Sequence, residues 1–365
     1  MNQTIVISAI SIRMAGMLSI LVDCLKELES PKYSGFKIYA IVKDRSLVEH
    51  VNPAVTYIQI DGTRSYVHRL YYEYFYFRKL SKQLKPFLWL SLHDVTPRVK
   101  ADRRAVYCHN PAPFYKVSWR EFLIEPKFAL FNLVYLIFYR INIKRNKYTI
   151  VQQDWLRDEF AAIFGLRKED IIVARPEGVS QSEVSRPKVD GVKRFIFPAL
   201  PRVWKNFEVI GEAVTILNAR GITNFEVMWT LSGDENKYAS WLKQQYADVH
   251  GIHFLGGLKR SRLFEVYGEV DCLIFPSKLE SWGLPISEFK NFNKAILLAD
   301  LPYAHETMGN YDKVSFFSPS SAADLAERMI GIIEGKDDFD GNTLKKIQQP
   351  YAKNWDALFT ILLAP

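Results

Sequence analysis

The densest run of reactive and turn-forming residues is Phe275-Pro276-Ser277-Lys278-Leu279-Glu280-Ser281-Trp282-Gly283-Leu284-Pro285-Ile286-Ser287-Glu288. It follows an apolar run ending at Phe275 and opens a helical pattern, with Gly283 in the loop and Pro285 suited to the first helical turn. Such a helix start offers free backbone N–H groups and the positive end of a dipole, a combination that binds phosphate. Glu280 falls in the loop and Glu288 roughly one turn inside the helix, and neither has the right charge for phosphate itself. An ionised carboxylate does accept hydrogen bonds from a sugar diol. Hydroxyls at both ends and phosphates in the middle describe a nucleoside diphosphate sugar.

A second constellation stands in Phe197-Pro198-Ala199-Leu200-Pro201-Arg202-Val203-Trp204-Lys205-Asn206. Arg202 and Lys205 have the charge to neutralise the two phosphates of a departing diphosphate, whose charge grows in the transition state. Three weaker candidates lie in the first half. Gly16 follows the first expected strand, in a loop where glycine lets backbone approach a ligand. His109, in Val106-Tyr107-Cys108-His109-Asn110-Pro111, and His93, in Ser91-Leu92-His93-Asp94-Val95-Thr96-Pro97, each sit just past the carboxyl end of an expected strand.

Glu280 and Glu288 stand eight positions apart, and Pro276 to Phe289 resembles the E-x7-E motif of retaining GT-B glycosyltransferases of the family-4 type, the bacterial surface polysaccharide group. The resemblance continues through Ala299 to Glu306, Phe316 to Pro319 and Asp324 to Ala326, and upstream through Gly256-Gly257 and Leu263 to Asp271. It implies that Glu288 holds the ribose hydroxyls and that Glu280 contacts the transferred sugar. The backbone of Gly283, Leu284 and Pro285 would bind donor oxygens, and Gly16 would bring backbone near the donor diphosphate. Lys205 matches the family's basic position. Many members carry an Arg six residues earlier, where this chain has Ala199, which leaves Arg202 as the candidate for that charge. His109 would contact the transferred sugar, with His93 a weaker candidate on the acceptor side.

The activity the resemblance implies is transfer of a sugar from a nucleotide-diphosphate sugar to a lipid-linked or membrane-proximal saccharide, with retention of anomeric configuration. The pathway it points to is assembly of lipopolysaccharide, O-antigen or capsule. A sugar-nucleotide epimerase or phosphorylase on the same scaffold is the alternative. No metal or other cofactor is expected, the donor being a co-substrate. The one close match to a metal-holding Asp-x-Asp pair is Asp338-Phe339-Asp340, in a polar, acidic segment that reads as a solvated loop.

These residues need a frame. Short apolar runs recur at Thr4 to Ala9, Phe36 to Val42, Thr56 to Ile60, Leu88 to Leu92, Ala105 to Cys108, Tyr148 to Val151 and Ile171 to Val173. They recur again at Arg194 to Phe197, Asn224 to Thr230, Ile252 to Phe254, Asp271 to Phe275 and Lys294 to Leu298. Most are separated by helix-length stretches, the pattern of parallel sheets covered by helices. Pro176 to Lys193 is polar and reads as a linker. The spacing predicts an α/β chain of two facing, Rossmann-like, doubly wound domains with a cleft between them, and the resemblance implies that this is the GT-B arrangement. It implies an N-terminal acceptor-binding domain over residues 1–185, a C-terminal nucleotide-sugar domain over 190–350, and a helix over 351–365 packing back toward the first.

A length of 365 residues is ample for two cores, and a chain 48% hydrophobic and 24% charged is neither fibrous nor disordered. Three distant cysteines and an N-terminus without a basic leader fit the cytoplasm. The net charge of +8 is lopsided: residues 1–190 hold 29 Lys and Arg against 19 Asp and Glu, residues 191–365 hold 19 against 21. Phe128 to Tyr139 is apolar save Asn132, is followed by Arg140, Lys144 and Arg145, and is too short to span a bilayer. Tyr66 to Lys79 mixes aromatic rings with Arg69, Arg78 and Lys79. Both suit an anionic membrane surface, which places the protein peripherally on the inner face of the plasma membrane. No nucleic-acid-binding pattern accompanies the charge, so nucleic acid is not expected as a partner.

Overall fold

The computed structural model describes residues 3–12, 15–60, 66–176, 190–336 and 338–364. In chain order the first elements are β1 (Gln3–Ala9), α1 (Ala15–Glu27), β2 (Phe36–Val42), β3 (Thr56–Gln59), α2 (Tyr66–Tyr71), α3 (Phe77–Leu84), β4 (Leu88–Ser91) and β5 (Arg103–Tyr107). A π-helical turn, Tyr72–Tyr76, joins α2 to α3. Then come α4 (Trp119–Ile124), α5 (Pro126–Arg140), β6 (Tyr148–Val151), α6 (Asp154–Phe164) and β7 (Ile171–Ala174). The second half brings β8 (Lys193–Phe197), α7 (Phe207–Ala219), β9 (Phe225–Trp229), α8 (Lys237–Tyr246), β10 (Ile252–Phe254), α9 (Arg260–Glu269) and β11 (Cys272–Phe275). It continues with α10 (Leu284–Lys290), β12 (Ala295–Ala299), α11 (Pro302–Met308), β13 (Val314–Phe317), α12 (Ala322–Ile333), β14 (Tyr351–Ala352) and α13 (Trp355–Leu363).

Every short apolar run expected as a strand forms one, with ends displaced by a residue or two, and the longer run from Phe128 to Tyr139 lies in α5. The expected linker from Pro176 to Lys193 falls largely outside the described residues, and Lys193 is already the first residue of β8. The chain divides into two compact units. One comprises residues 1–114, 131–177 and 347–365; the other comprises 115–130 and 178–346.

The first unit holds an eight-stranded parallel sheet in the order β14-β7-β6-β5-β4-β1-β2-β3. Its middle strands are apolar on both faces because helices cover both: Ile5, Val6 and Ile7 are all fully buried. The end of the chain completes this unit. Tyr351 pairs with Val173 in β7, and Trp355, Leu358, Phe359 and Leu362 of α13 share a core with Ile5, Ile7 and Leu90. Buried Arg157 on α6 ties that tail down by donating to the Gln348 and Pro350 carbonyls at 2.9 and 2.8 Å.

The second unit holds six parallel strands in the order β10-β9-β8-β11-β12-β13. Counting within the unit, this is the 3-2-1-4-5-6 order of a doubly wound sheet, with its reversal between β8 and β11, where Phe195 pairs with Cys272. The crevice beyond the carboxyl ends of two strands that diverge in this way is where such sheets bind ligands. In the first unit the corresponding reversal lies between β1 and β4.

Candidate functional site

The two motifs singled out in the second half leave the sheet at this reversal. After β8 the chain reaches the 3-10 turn Val203–Lys205, and Asn206 then takes a left-handed conformation (φ 60°) at the start of α7. The Asn206 amide donates to the Pro276 and Pro319 carbonyls at 3.3 and 2.9 Å, and the Lys278 N–H donates to the Trp204 carbonyl at 2.7 Å. The loops after β8 and β11 are therefore fastened to each other by backbone, which brings Lys205 and Glu280 together although 75 residues separate them. Lys205 Nζ forms an ion pair with Glu280 Oε1, both side chains being mostly buried.

Gly283 ends the β11 loop at φ 84°, a conformation that disfavours any side chain, and a Cβ there would stand 3.0 Å from Ile286 Cδ1. Leu284 and Pro285 form the first turn of α10, where proline's missing N–H costs nothing. The loop is braced by Trp282 Nε1 donating to Ser287 Oγ at 3.0 Å, and by Tyr303 donating to the Ser277 carbonyl at 2.6 Å. The Ser277 hydroxyl is buried and has no partner among the described residues. Glu288, on α10, is buried and accepts from Arg260 Nη2 at 2.7 Å. Burial pushes its carboxyl above the ordinary value, and the Arg260 guanidinium pulls in the opposite direction.

Arg202 takes a different direction. Its guanidinium donates to Glu125 at 2.9 Å, at the end of α4, rather than joining the Lys205–Glu280 pair. Lys278, from the motif itself, reaches Glu121 on α4 at 3.1 Å. Glu121 also closes a capping box with Ser118 and accepts from Tyr115 at 2.6 Å. Burial raises the Glu121 carboxyl, but the bonds from Tyr115 and Ser118 and the Lys278 charge bring it below its ordinary value. Residues 115–130 thus belong to the second unit, an association also carried by Phe128 stacking on Trp204 with centroids 4.2 Å apart. Arg260, Glu121 and Glu125 were not among the residues expected at this site. A capping-box signature, Ser118-x-x-Glu121, was present in the sequence, but nothing local linked it to Lys278.

The first-unit candidates are differently placed. Gly16 is the second residue of α1 rather than a loop residue, because the helix begins at Ala15, and its surroundings lie outside the described residues. His93 is fully buried at the end of β4. Its Nδ1 faces the Ser8 carbonyl at 2.9 Å, its Nε2 faces Glu73 at 2.5 Å, and Arg69 donates to its carbonyl at 2.7 Å. His109 is also buried: Nε2 lies 3.2 Å from the Leu92 carbonyl and Nδ1 3.3 Å from the Gln152 amide nitrogen. Burial lowers its pKa, and a neutral ring with the proton on Nε2 satisfies both contacts. The loop carrying His109 is held by Asp94, which accepts from the His109 and Asn110 backbone N–H groups and from Tyr139 and Tyr135. Each histidine thus has both ring nitrogens engaged. Asp340 of the Asp-x-Asp match accepts from the Phe316 N–H and from Arg328, and no group of three or more metal-ligating side chains occurs among the described residues.

Residues 182–355 match the family described as "Glycosyl transferases group 1". The chain is 23% identical over 190 residues to the N,N'-diacetylbacillosaminyl-diphospho-undecaprenol alpha-1,3-N-acetylgalactosaminyltransferase of Campylobacter jejuni, a match covering 48% of each protein. The chain therefore spans about half the length of that relative. It is 22% identical over 290 residues to the O-antigen chain mannosyltransferase RfbU of Salmonella typhimurium, covering 76% of this chain and 71% of that one. Among solved structures it resembles WaaG, a glycosyltransferase involved in lipopolysaccharide biosynthesis, with a TM-score of 0.63 at 15% identity over 99% of this chain and all of that one. The fold is of the GT-B class, two Rossmann-like units each built on a parallel sheet. The match to that family thus covers just under half of the chain, from residue 182 to residue 355, and takes in most of the second unit.

Proposed function

We propose that this chain transfers a sugar from a nucleoside-diphosphate sugar to a lipid-linked or membrane-proximal saccharide, with retention of anomeric configuration and without a metal ion. The observation that carries the reading is the meeting of Lys205 with Glu280 at the reversal of the second sheet, with a buried Glu288 on the helix that follows held by Arg260. Glu288 accepts the ribose hydroxyls and Glu280 those of the transferred sugar, while the backbone from Gly283 to Pro285 meets donor oxygens. On donor binding Lys205 exchanges Glu280 for the diphosphate, whose negative charge grows as the glycosidic bond breaks. Arg202 supplies a second positive charge by leaving Glu125, a pair of low worth because the Arg202 side chain is 47% exposed. The acceptor hydroxyl attacks the anomeric carbon from the face the diphosphate leaves, and a leaving-group oxygen takes its proton. His109 serves as a positioning residue for the loop after β5, because both its nitrogens are already bonded. Gly16 and His93 keep, in this reading, the donor-diphosphate and acceptor-side roles that the resemblance implies.

The names of the relatives, one with a diphospho-undecaprenol and one with an O-antigen chain, favour a saccharide acceptor on a lipid carrier. The pathway we assign to the chain is lipopolysaccharide, O-antigen or capsule assembly, at the inner face of the membrane. Among the described residues no helix is long and apolar enough to cross a membrane. Epimerisation or phosphorolysis on this scaffold has no specific observation in its favour. A thermal-shift panel of UDP, GDP, dTDP and CMP on the full chain tests the reading: one nucleotide raises the melting temperature and Glu288→Ala abolishes the rise. A chain stabilised by none of them has no such donor.

A further inference from the structure

Two helical stretches of the first unit turn apolar side chains to the outside. On α2 and its π-helical continuation these are Val67, Tyr71 and Phe75, four residues apart, with the Tyr71 and Phe75 rings stacked at 6.1 Å. On α5 they are Leu133, Val134 and Ile137, which fall along one side of the helix, with Ile141 just past its last residue. Leu133 and Ile137 are 59% and 56% exposed, whereas Asn132 and Tyr139 of the same helix are buried, so this is an outward face and not a frayed end. The two stretches are neighbours: Leu70 and Glu73 from one and Tyr135 and Phe138 from the other line a single narrow crevice. Exposed cations follow both, Arg78, Lys79 and Lys82 after the first and Arg140 and Lys144 after the second. None of these five is paired with a carboxylate among the described residues.

We propose that α2 and α5 together form one docking face for an anionic lipid bilayer, the apolar stripes entering the interface while the cations meet lipid headgroups. Outward aliphatic and aromatic side chains, followed along the chain by exposed cations without a carboxylate partner among the described residues, match the two zones of that interface, hydrocarbon and charged headgroup. A second copy of the chain would bring the same cations against themselves, and a nucleic acid would leave the aliphatic stripes uncovered. The face deepens the reading of a membrane-proximal acceptor and rests on it for its purpose, since docking would bring the first unit to the acceptor's carrier.

Co-sedimentation of the full chain with phosphatidylcholine vesicles, with and without phosphatidylglycerol, tests this. The wild-type chain is expected to pellet with the anionic vesicles and not with phosphatidylcholine alone. Replacing Leu133 and Ile137 together with Ser should lower binding about tenfold or more, as should Val67→Ser with Phe75→Ser on the other helix, with melting temperatures unchanged because these side chains are exposed. A wild-type chain left in the supernatant with anionic vesicles overturns the proposal. So does a Leu133/Ile137 variant that is well folded and binds as wild type, or a wild-type dimer, indifferent to vesicles, that this variant converts to monomer. Transfer to a soluble acceptor is expected to be the same for variant and wild type. Vesicle binding that responds to the substitutions in a chain that transfers no sugar would keep the docking face and remove the transferase reading.

Discussion

Arg260→Ala isolates the electrostatic control of the proposed ribose site. Glu288 is buried, and its described partner is one Arg260 nitrogen at 2.7 Å. A hydrogen bond to a charged group contributes about 1.5 to 3 kcal/mol when well shielded, but the Arg260 side chain is 51% exposed, and solvent-screened pairs fall to about 1 kcal/mol or less. About 1 kcal/mol is the appropriate figure, which is roughly a fivefold weaker nucleotide affinity. The deficit should depend on pH. Burial already lifts the Glu288 carboxyl above its ordinary 4.5, and losing Arg260 lifts it further, so more of the variant carries a protonated Glu288 as the pH falls. Calorimetric titration of the preferred nucleotide between about pH 5.5 and 8 should show the gap between variant and wild type widening toward the acid end. In a Glu288→Gln background the same Arg260→Ala change should have little effect, because the charge it serves is gone. Stability should move the opposite way with pH. A carboxyl with a raised native pKa keeps a proton that the unfolded chain has released, so its ionisation costs stability as pH rises through the native value. The melting deficit of Arg260→Ala therefore grows with pH. Tighter nucleotide binding by Arg260→Ala, or an equal loss in both backgrounds, would refute the reasoning, since either result means that Arg260 competes with the ligand or acts elsewhere.

Lys205→Ala should lower kcat by about 10²-fold while changing nucleotide Kd much less, because the charge it meets develops late; equal losses in steady-state kcat and calorimetric Kd would remove the leaving-group role. Gly283→Ala places a side chain at φ 84° against Ile286 and should cost about 1 to 2 kcal/mol, read as a lower melting temperature together with weaker nucleotide binding. Arg157→Ala strands two carbonyls of the C-terminal segment and should cost about 2 to 4 kcal/mol, with limited proteolysis cutting near residues 347–352 first; an unchanged digestion pattern would show that α13 holds the tail unaided.

How far the sequence foretold this arrangement depends on how local each signal was. Parallel strands such as β1 and β11 are legible because helices cover both faces and leave continuous apolar runs. β14 was not read as a strand, being two residues long with a position set by Arg157 and β7 rather than by its own pattern. Gly283 and Pro285 announced their turn and helix start through backbone chemistry that belongs to those residues alone. The partners of the charged groups were not legible. Arg202 finds Glu125 across 77 residues and Lys278 finds Glu121 across 157, both because residues 115–130 join the second unit, which no periodicity records. The partners of the histidines were hidden for a related reason: a ring at a strand end reads alike whether it faces a ligand or a carbonyl, and here Ser8, Glu73, Leu92 and Gln152 face the nitrogens.

The decisive readout for retaining sugar transfer is the product linkage itself. The full chain is incubated with vesicles bearing a lipid-linked saccharide and with the sugar donor of whichever nucleotide stabilises it, and the anomeric proton of the new linkage is followed by NMR. A new glycosidic bond with the donor's own anomeric configuration is expected, and no such signal from Glu280→Ala or Glu288→Ala. Release of free sugar alone, an inverted linkage, or undiminished product from the Glu288 variant would contradict that expectation.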